Sequence, residues 1–207
     1  MYIKILILVL AFYSWHLSQE YLSASDDTNF EIIDRLHDST FFSKINHFLW
    51  ENPDHTKYHF ILSSLLIDVN VMYLVYNYFR TNNLKTMLVL FTGLICRQFC
   101  QYINRLPIPA NMIWFDPGFP SILVTYGIDN DFFFSGHTFV ALTAGFEIFT
   151  CKNYLIKSYG IFFVLYEIFL IVSINGHYFM DIYAAVCTYF MLVYFYEKIF
   201  SWKNKKD

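Results

Sequence analysis

Charge is scarce in this sequence. Asp, Glu, Lys and Arg make up 15% of its 207 residues, whereas a water-soluble domain carries about 25%. The polar surface that a soluble globule needs is therefore missing. Glycine and proline are also few, at 7 and 5 residues, so the apolar content is not broken up as in a loop-rich protein. There is no basic arm, and a net charge of −3 argues against nucleic acid as a partner. The four cysteines, Cys96, Cys100, Cys151 and Cys187, lack paired metal spacing and provide no disulfide framework. Cys96 and Cys100 share a helical face and read as packing. No internal repeat or low-complexity segment is evident. What the chain has instead is apolar and aromatic side chains, 57% and 22% of the total.

These residues gather into six segments, 3–22, 58–79, 85–105, 133–150, 156–175 and 178–199, each close to the roughly 20 residues that a helix needs to cross a bilayer. The expected fold is all-α, a polytopic bundle of six transmembrane helices forming a single membrane domain over 1–207, with a tail at 200–207. The first segment has a second reading as a cleaved signal, because Lys4 precedes the run Ile5–Tyr13 and Ser23, Ala24 and Ser25 supply small residues. Charge orients the bundle. With the N-terminus in the cytosol, the inner segments hold Lys4, Arg80, Lys85, Lys152, Lys157, Lys198, Lys203, Lys205 and Lys206. The outer loops hold Arg35, Lys44, Lys57 and Arg105, a split of nine against four in the sense of the positive-inside rule. Both termini are then cytosolic, and the loops 23–57 and 106–132 face the lumen or exterior. In the first loop Ile33, Leu36, Phe41, Ile45, Phe48 and Leu49 recur at helical spacing. That pattern fits an amphipathic helix, either lying on the outer membrane surface or capping the bundle. The second loop carries Pro107, Pro109, Pro117 and Pro120 and should be irregular but stiff.

Ionisable groups within spans are costly and need a reason. Two clusters stand out. Asp131-Phe132-Phe133-Phe134-Ser135-Gly136-His137-Thr138 opens the fourth span, and Gly176-His177-Tyr178-Phe179-Met180-Asp181 opens the sixth. The topology puts both at the outer end, although the histidines played no part in deriving it. His177 and Asp181 are spaced i,i+4, so they share a helix face. A carboxylate behind an imidazole fixes its tautomer and stabilises the cation formed when the other nitrogen bonds to an electrophile. His137 can then serve as general acid to a departing alkoxide. Gly136 allows close approach to the backbone, and the helix start offers N–H groups to an anion. Phosphoryl transfer through phosphohistidine uses such equipment. Two other readings compete: interfacial histidines without chemistry, and a metal site of two His and one carboxylate.

The residues Ser135-Gly136-His137-Thr138 and His177-Tyr178-Phe179-Met180-Asp181 resemble the lipid phosphatase and phosphotransferase superfamily, whose members share six spans. Within it the similarity is closest to sphingomyelin synthases and the plant phosphatidylcholine:diacylglycerol cholinephosphotransferases. Those branches carry an Arg and then a Leu-Pro-x-Pro segment ahead of the Ser-Gly-His. Here Arg97 precedes Leu106-Pro107-Ile108-Pro109. The resemblance implies a cofactor-free, ping-pong transfer of phosphocholine or phosphoethanolamine between membrane lipids. In it His177 is the nucleophile, Asp181 orients it, and His137 protonates the departing diacylglycerol. Arg97, Ser135 and Gly136 would bind the substrate phosphate, and ceramide or diacylglycerol would accept the headgroup. The implied setting is the lumenal or exterior face of a eukaryotic Golgi, endoplasmic reticulum or plasma membrane. The phosphatidic acid phosphatase branch has an Arg-Pro motif that gathers a phosphate dianion; this sequence has no Arg-Pro dipeptide. A phosphodiester carries a single negative charge and needs fewer cations, which favours headgroup transfer over monoester hydrolysis. A hydrolase of the same superfamily and a non-catalytic lipid-binding relative remain the alternatives.

Other polar residues within spans are less telling. Arg97 could contact phosphate or pair with Asp68 at similar depth, and Asp68 reads as structural. Glu167 needs a hydrogen-bond partner, while Glu147 lies near enough to the inner end to snorkel. Phe132, Phe133, Phe134, Trp114 and Tyr178 are positioned to cage a quaternary ammonium group, although aromatics are too common in this chain to decide the matter.

Overall fold

The computed structural model describes residues 2–22, 32–104, 106–126 and 132–203. Ser23, Ala24, Ser25, Arg105, Asp131 and the tail beyond Lys203 lie outside the described residues. The described chain forms helices α1 (Tyr2–Leu22), α2 (Thr40–Glu51), α3 (Pro53–Thr81), α4 (Leu84–Ile103), α5 (Gly136–Phe149), α6 (Tyr154–Ser173) and α7 (Phe179–Lys203), with no strand among those residues.

Helix boundaries follow local chemistry. Ser39 caps the amphipathic α2 by accepting a hydrogen bond from the Phe42 N–H, a standard way to use an orphan donor. Pro53 opens α3 at its first position, where no N–H is needed. That start precedes the span pattern, which places it at 58. Asn82 closes α3 in the left-handed conformation, φ 55°, as helix ends favour. Helix α5 begins at Gly136 rather than at 133. Phe133 has φ 84°, a value outside any helix, and Ser135 caps the start two residues later.

Four of the six expected spans, α3, α4, α6 and α7, are long and apolar enough to cross a membrane; Tyr2–Leu17 of α1 and the 14 residues of α5 are shorter. Helix α5 would extend only about 21 Å, against a hydrocarbon core of about 30 Å. Its position accounts for its character. Every residue from Thr138 to Gly145 is buried, with α3, α4, α6 and α7 around it. A helix that is apolar on all sides belongs in such a centre. The surrounding helices expose what α5 hides. Met72, Tyr76, Ile95, Phe162, Leu165, Met191, Tyr194 and Phe195 all point outward, an apolar belt far larger than a water-soluble monomer tolerates.

Close packing fixes α5. A Cβ placed on Gly145 would come within 2.9 Å of the Gly160 carbonyl oxygen, and one on Gly160 within 2.8 Å of the Gly145 oxygen. Small residues let helix backbones meet this way in membrane bundles. On the α4 side the Phe139 ring occupies the space that a Cβ on Gly93 would take, at 1.9 Å.

The proline-rich loop is fastened rather than free. The Ile113 N–H donates to the Ile174 carbonyl at 2.8 Å, and Asn175 Nδ2 donates to the Ala110 carbonyl at 2.8 Å. From α2, Asn46 Nδ2 reaches the carbonyls of Asn111 at 3.2 Å and Ser173 at 3.1 Å. Asp68 does not pair with Arg97. Its carboxylate instead accepts from Ser121 Oγ and from the N–H groups of Ile122 and Leu123, at 3.1, 2.8 and 3.2 Å.

At the other end of the bundle, Glu147 on α5 is no snorkelling bystander. Asn77 and Asn83 donate to its Oε1 at 2.7 and 3.0 Å, and Thr86 donates to Oε2 at 2.7 Å. That network ties α5 to α3 and α4. Between the ends, Glu167 is fully buried and accepts from Ser63 Oγ at 2.7 Å.

Candidate functional site

The site gathers at the starts of two helices. Helix α6 ends in a tight turn in which the Asn175 N–H reaches the Val172 carbonyl at 3.1 Å and the Gly176 N–H reaches the Ile171 carbonyl at 2.9 Å. Asn175 is left-handed, φ 53°, completing a Schellman motif. His177 follows at once. Its Nδ1 lies 3.1 Å from Asp181 Oδ2, with both side chains buried. The same oxygen accepts the Tyr178 N–H at 3.2 Å. Asp181 thus caps α7 from inside its first turn, where the helix dipole favours a negative charge. Its second oxygen, Oδ1, is buried with no partner among the described residues.

The other histidine stands at the start of α5. Ser135 is fully buried, and its oxygen accepts from the Thr138 N–H at 3.3 Å and the Thr138 hydroxyl at 3.0 Å. That hydroxyl serves the helix cap. The Ser135 N–H donates to the Asp181 carbonyl at 3.2 Å, so the two helix starts are joined backbone to backbone. Arg97 Nε donates to the Phe134 carbonyl at 3.3 Å. A Cβ on Gly136 would sit 3.0 Å from that Nε, close enough that the Arg97 side chain would have to give by a few tenths of an ångström.

Arg97, Gly136 and His137 line one cavity of about 50 Å³, together with Trp15, Trp114 and Val140. His177, Asp181 and Ser135 are not among its walls. His137 lies within electrostatic range of both His177 and Arg97. Of the aromatics expected here, Trp114 meets His137 edge-on with centroids 5.7 Å apart, and Phe132 lies 5.9 Å from His177 and 6.0 Å from Tyr178. Phe134 turns into the core against Phe139. Among the described residues, no three of His, Cys, Asp and Glu come together as metal ligands.

Three contributors left no mark in the sequence reading. Asp34 Oδ2 accepts the Phe179 N–H at 2.6 Å, a cap delivered to α7 from far upstream. His37 stacks on Tyr178 with centroids 6.3 Å apart. Burial lowers the His37 pKa below its ordinary 6.5, against the upward pull of Asp34, the His177 carbonyl, Asp38 and Asp181. Trp15 of α1 lies under the Arg97 guanidinium, 5.0 Å from its carbon. No periodicity links such distant residues. The one available signal was an acidic side chain in the loop ahead of α2, which Asp34 shares with many surface positions.

Long apolar helices, an apolar exterior and a buried His–Asp pair at a helix start define an integral membrane protein of all-α build. The family described as AtPDCT1/2, the plant phosphatidylcholine:diacylglycerol cholinephosphotransferases, matches residues 38–198, and the chain belongs to it. That match falls on the cholinephosphotransferase side of the two branches its motifs resemble. No curated protein and no solved structure matches the chain.

Proposed function

We propose that this protein moves phosphocholine from a phosphatidylcholine to diacylglycerol through a covalent phosphohistidine. The observation that carries this is the 3.1 Å contact of His177 Nδ1 with Asp181 Oδ2, in a chain of this family. With Asp181 ionised, Nδ1–H donates to it and the Nε2 lone pair is left for attack on phosphorus. The P–O bond to diacylglycerol breaks as the N–P bond forms, and protonated His137 gives its proton to the departing oxygen. In the second half His137 takes the proton from the acceptor hydroxyl, whose oxygen displaces His177. Arg97 and the α5 helix start, opened by Gly136 and capped by Ser135, hold the phosphate charge. Burial of His177 and Asp181 limits water at the nucleophile, which favours transfer over hydrolysis.

The bundle has six spans in this reading, α5 and α1 included, with both termini cytosolic and the histidines facing the lumen or exterior. The Lys and Arg split supports that orientation. The decisive experiment incubates purified protein with phosphatidylcholine labelled in the headgroup, phosphatidylethanolamine in parallel, and diacylglycerol or ceramide as acceptor. Label in new phosphatidylcholine is expected. Label in ceramide would move the protein to the sphingomyelin synthase-like reading, and label released only into water would make it a hydrolase.

A further inference from the structure

Beside the small cavity at His137 lies a much larger space. Helices α1, α3 and α4 flank a chamber of about 920 Å³ that opens to the outside past Met72, Tyr76 and Ile95, and its walls, among them Leu8, Phe12, Val75 and Leu90, are almost wholly apolar. Trp15, Leu94, Leu123 and Val140 line both spaces. The chamber is therefore continuous in its walls with the cavity that holds Arg97 and His137. Ser14 and Gln98 are the uncharged polar side chains that interrupt its apolar surface, and Gln98 carries the amide. Gln98 lines the chamber, and its amide nitrogen and oxygen are both buried with no hydrogen-bond partner among the described residues. A buried amide left unmatched on both atoms is costly unless a ligand completes it. Gln98 follows Arg97 directly on α4, so a charged group and an amide face the two spaces side by side.

We infer that this chamber holds an acyl chain of the diacylglycerol moiety, with the Gln98 amide donating to the ester carbonyl that joins chain to glycerol. Hydrocarbon fills the walls, the ester meets the one amide, and the glycerol oxygen is left pointing to Arg97 and His137. The donor and the acceptor of the proposed reaction share this moiety, so one chamber serves both halves. The inference rests on that reading for its substrate but has a test that needs no turnover.

Purified His177→Ala protein, in vesicles containing phosphatidylcholine with a diazirine midway along one acyl chain, is irradiated and the adducts are mapped by mass spectrometry. Adducts on α1 and α4, at positions such as Leu8, Phe12, Leu90 or Leu94, are expected, competed by excess diacylglycerol. Adducts confined to the outward residues of α6 and α7 would overturn the assignment, whether or not the wild type transfers headgroups. In the active protein, diacylglycerol should outperform its dialkyl ether analogue, which lacks the carbonyl, by about tenfold. Gln98→Leu should bring that ratio close to one. A preference that survives Gln98→Leu unchanged would remove Gln98 from the role.

Discussion

The two ends of α5 carry polar clusters of opposite character. At the Glu147 end every carboxylate oxygen has a donor, three in all, supplied by α3, the turn after it and α4. At the histidine end Asp181 keeps one buried oxygen without a partner among the described residues, and His137 opens on a cavity. A fully matched network inside an apolar bundle adds rigidity and asks for nothing more. An incompletely matched one costs stability, and it is where a ligand has something to complete. The contrast separates a polar group that builds the fold from one available for chemistry, and charge or depth alone does not draw that line.

Substitution should split the ends cleanly. The largest effect is expected from His177→Ala, which should abolish both headgroup exchange and net transfer while the melting temperature stays near that of the wild type. Asp181→Asn should retain helical content but lose rate on the order of 10⁴-fold, by analogy with the aspartate of a histidine-based triad. Turnover measured at matched folded protein checks both; an active Asp181→Asn protein would erase the difference between the ends. The reverse pattern is expected of Glu147→Ala. Three donors would lose their acceptor, at a cost of about 1–3 kcal/mol for each that stays buried and unmatched, while turnover per folded molecule is unaltered. Thermal unfolding in detergent reads the first part and the labelled-lipid assay the second.

Asp34→Ala should give a smaller, mixed result, because it removes a helix cap at the histidine end. About 1 kcal/mol of stability should go, with a fall in kcat of several-fold and little change in KM as the His177 turn loosens. The smallest effect concerns pH. His37 has its pKa lowered by burial, so the folded state binds a proton less readily than the unfolded chain. Its contribution to stability is complete above the ordinary 6.5 and is lost as pH falls through the depressed value. Acidification from about 7.5 to about 5.5, the range in which histidines titrate, should lower the melting temperature more in the wild type than in His37→Gln. Equal shifts would mean that His37 does not couple protonation to the histidine end.

Much of this organisation was legible in the chain. Helical spacing marked α2, and the pairing of His177 with Asp181 was foreseen, although His177 stands in the turn before α7 and meets the capping carboxylate there rather than along one helix face. Scarcity of charge announced the apolar exterior. Other features were not readable, for definite reasons. Hydropathy measures the length of a run and not what surrounds it, so neither the shortness of α5 nor its burial on all sides could be read from it. The helix cap that Ser135 forms by accepting the Thr138 N–H could not be told from the sequence, because a hydroxyl beside Gly-His suits a cap and a phosphate contact alike. Glu147 read as a residue free to snorkel because Asn77, Asn83 and Thr86 meet it from other elements. Asp34 and Trp15 act on partners far along the chain, and such pairings leave no periodic trace.

The glycine contact between α5 and α6 has a consequence for tolerance. With Gly145 seated against the Gly160 backbone and Phe139 filling the notch at Gly93, α5 can neither roll nor slide without a collision. It behaves as a rod held near both ends, so that displacing it at Gly145 strains the Phe139 contact beside the tip. His137 is at the tip, about 12 Å along the axis from Gly145 at the usual rise per residue. A single methyl group added at Gly145 would therefore be felt as an aiming error at the imidazole, in a chemistry where an offset of about 1 Å can cost roughly a hundredfold in rate.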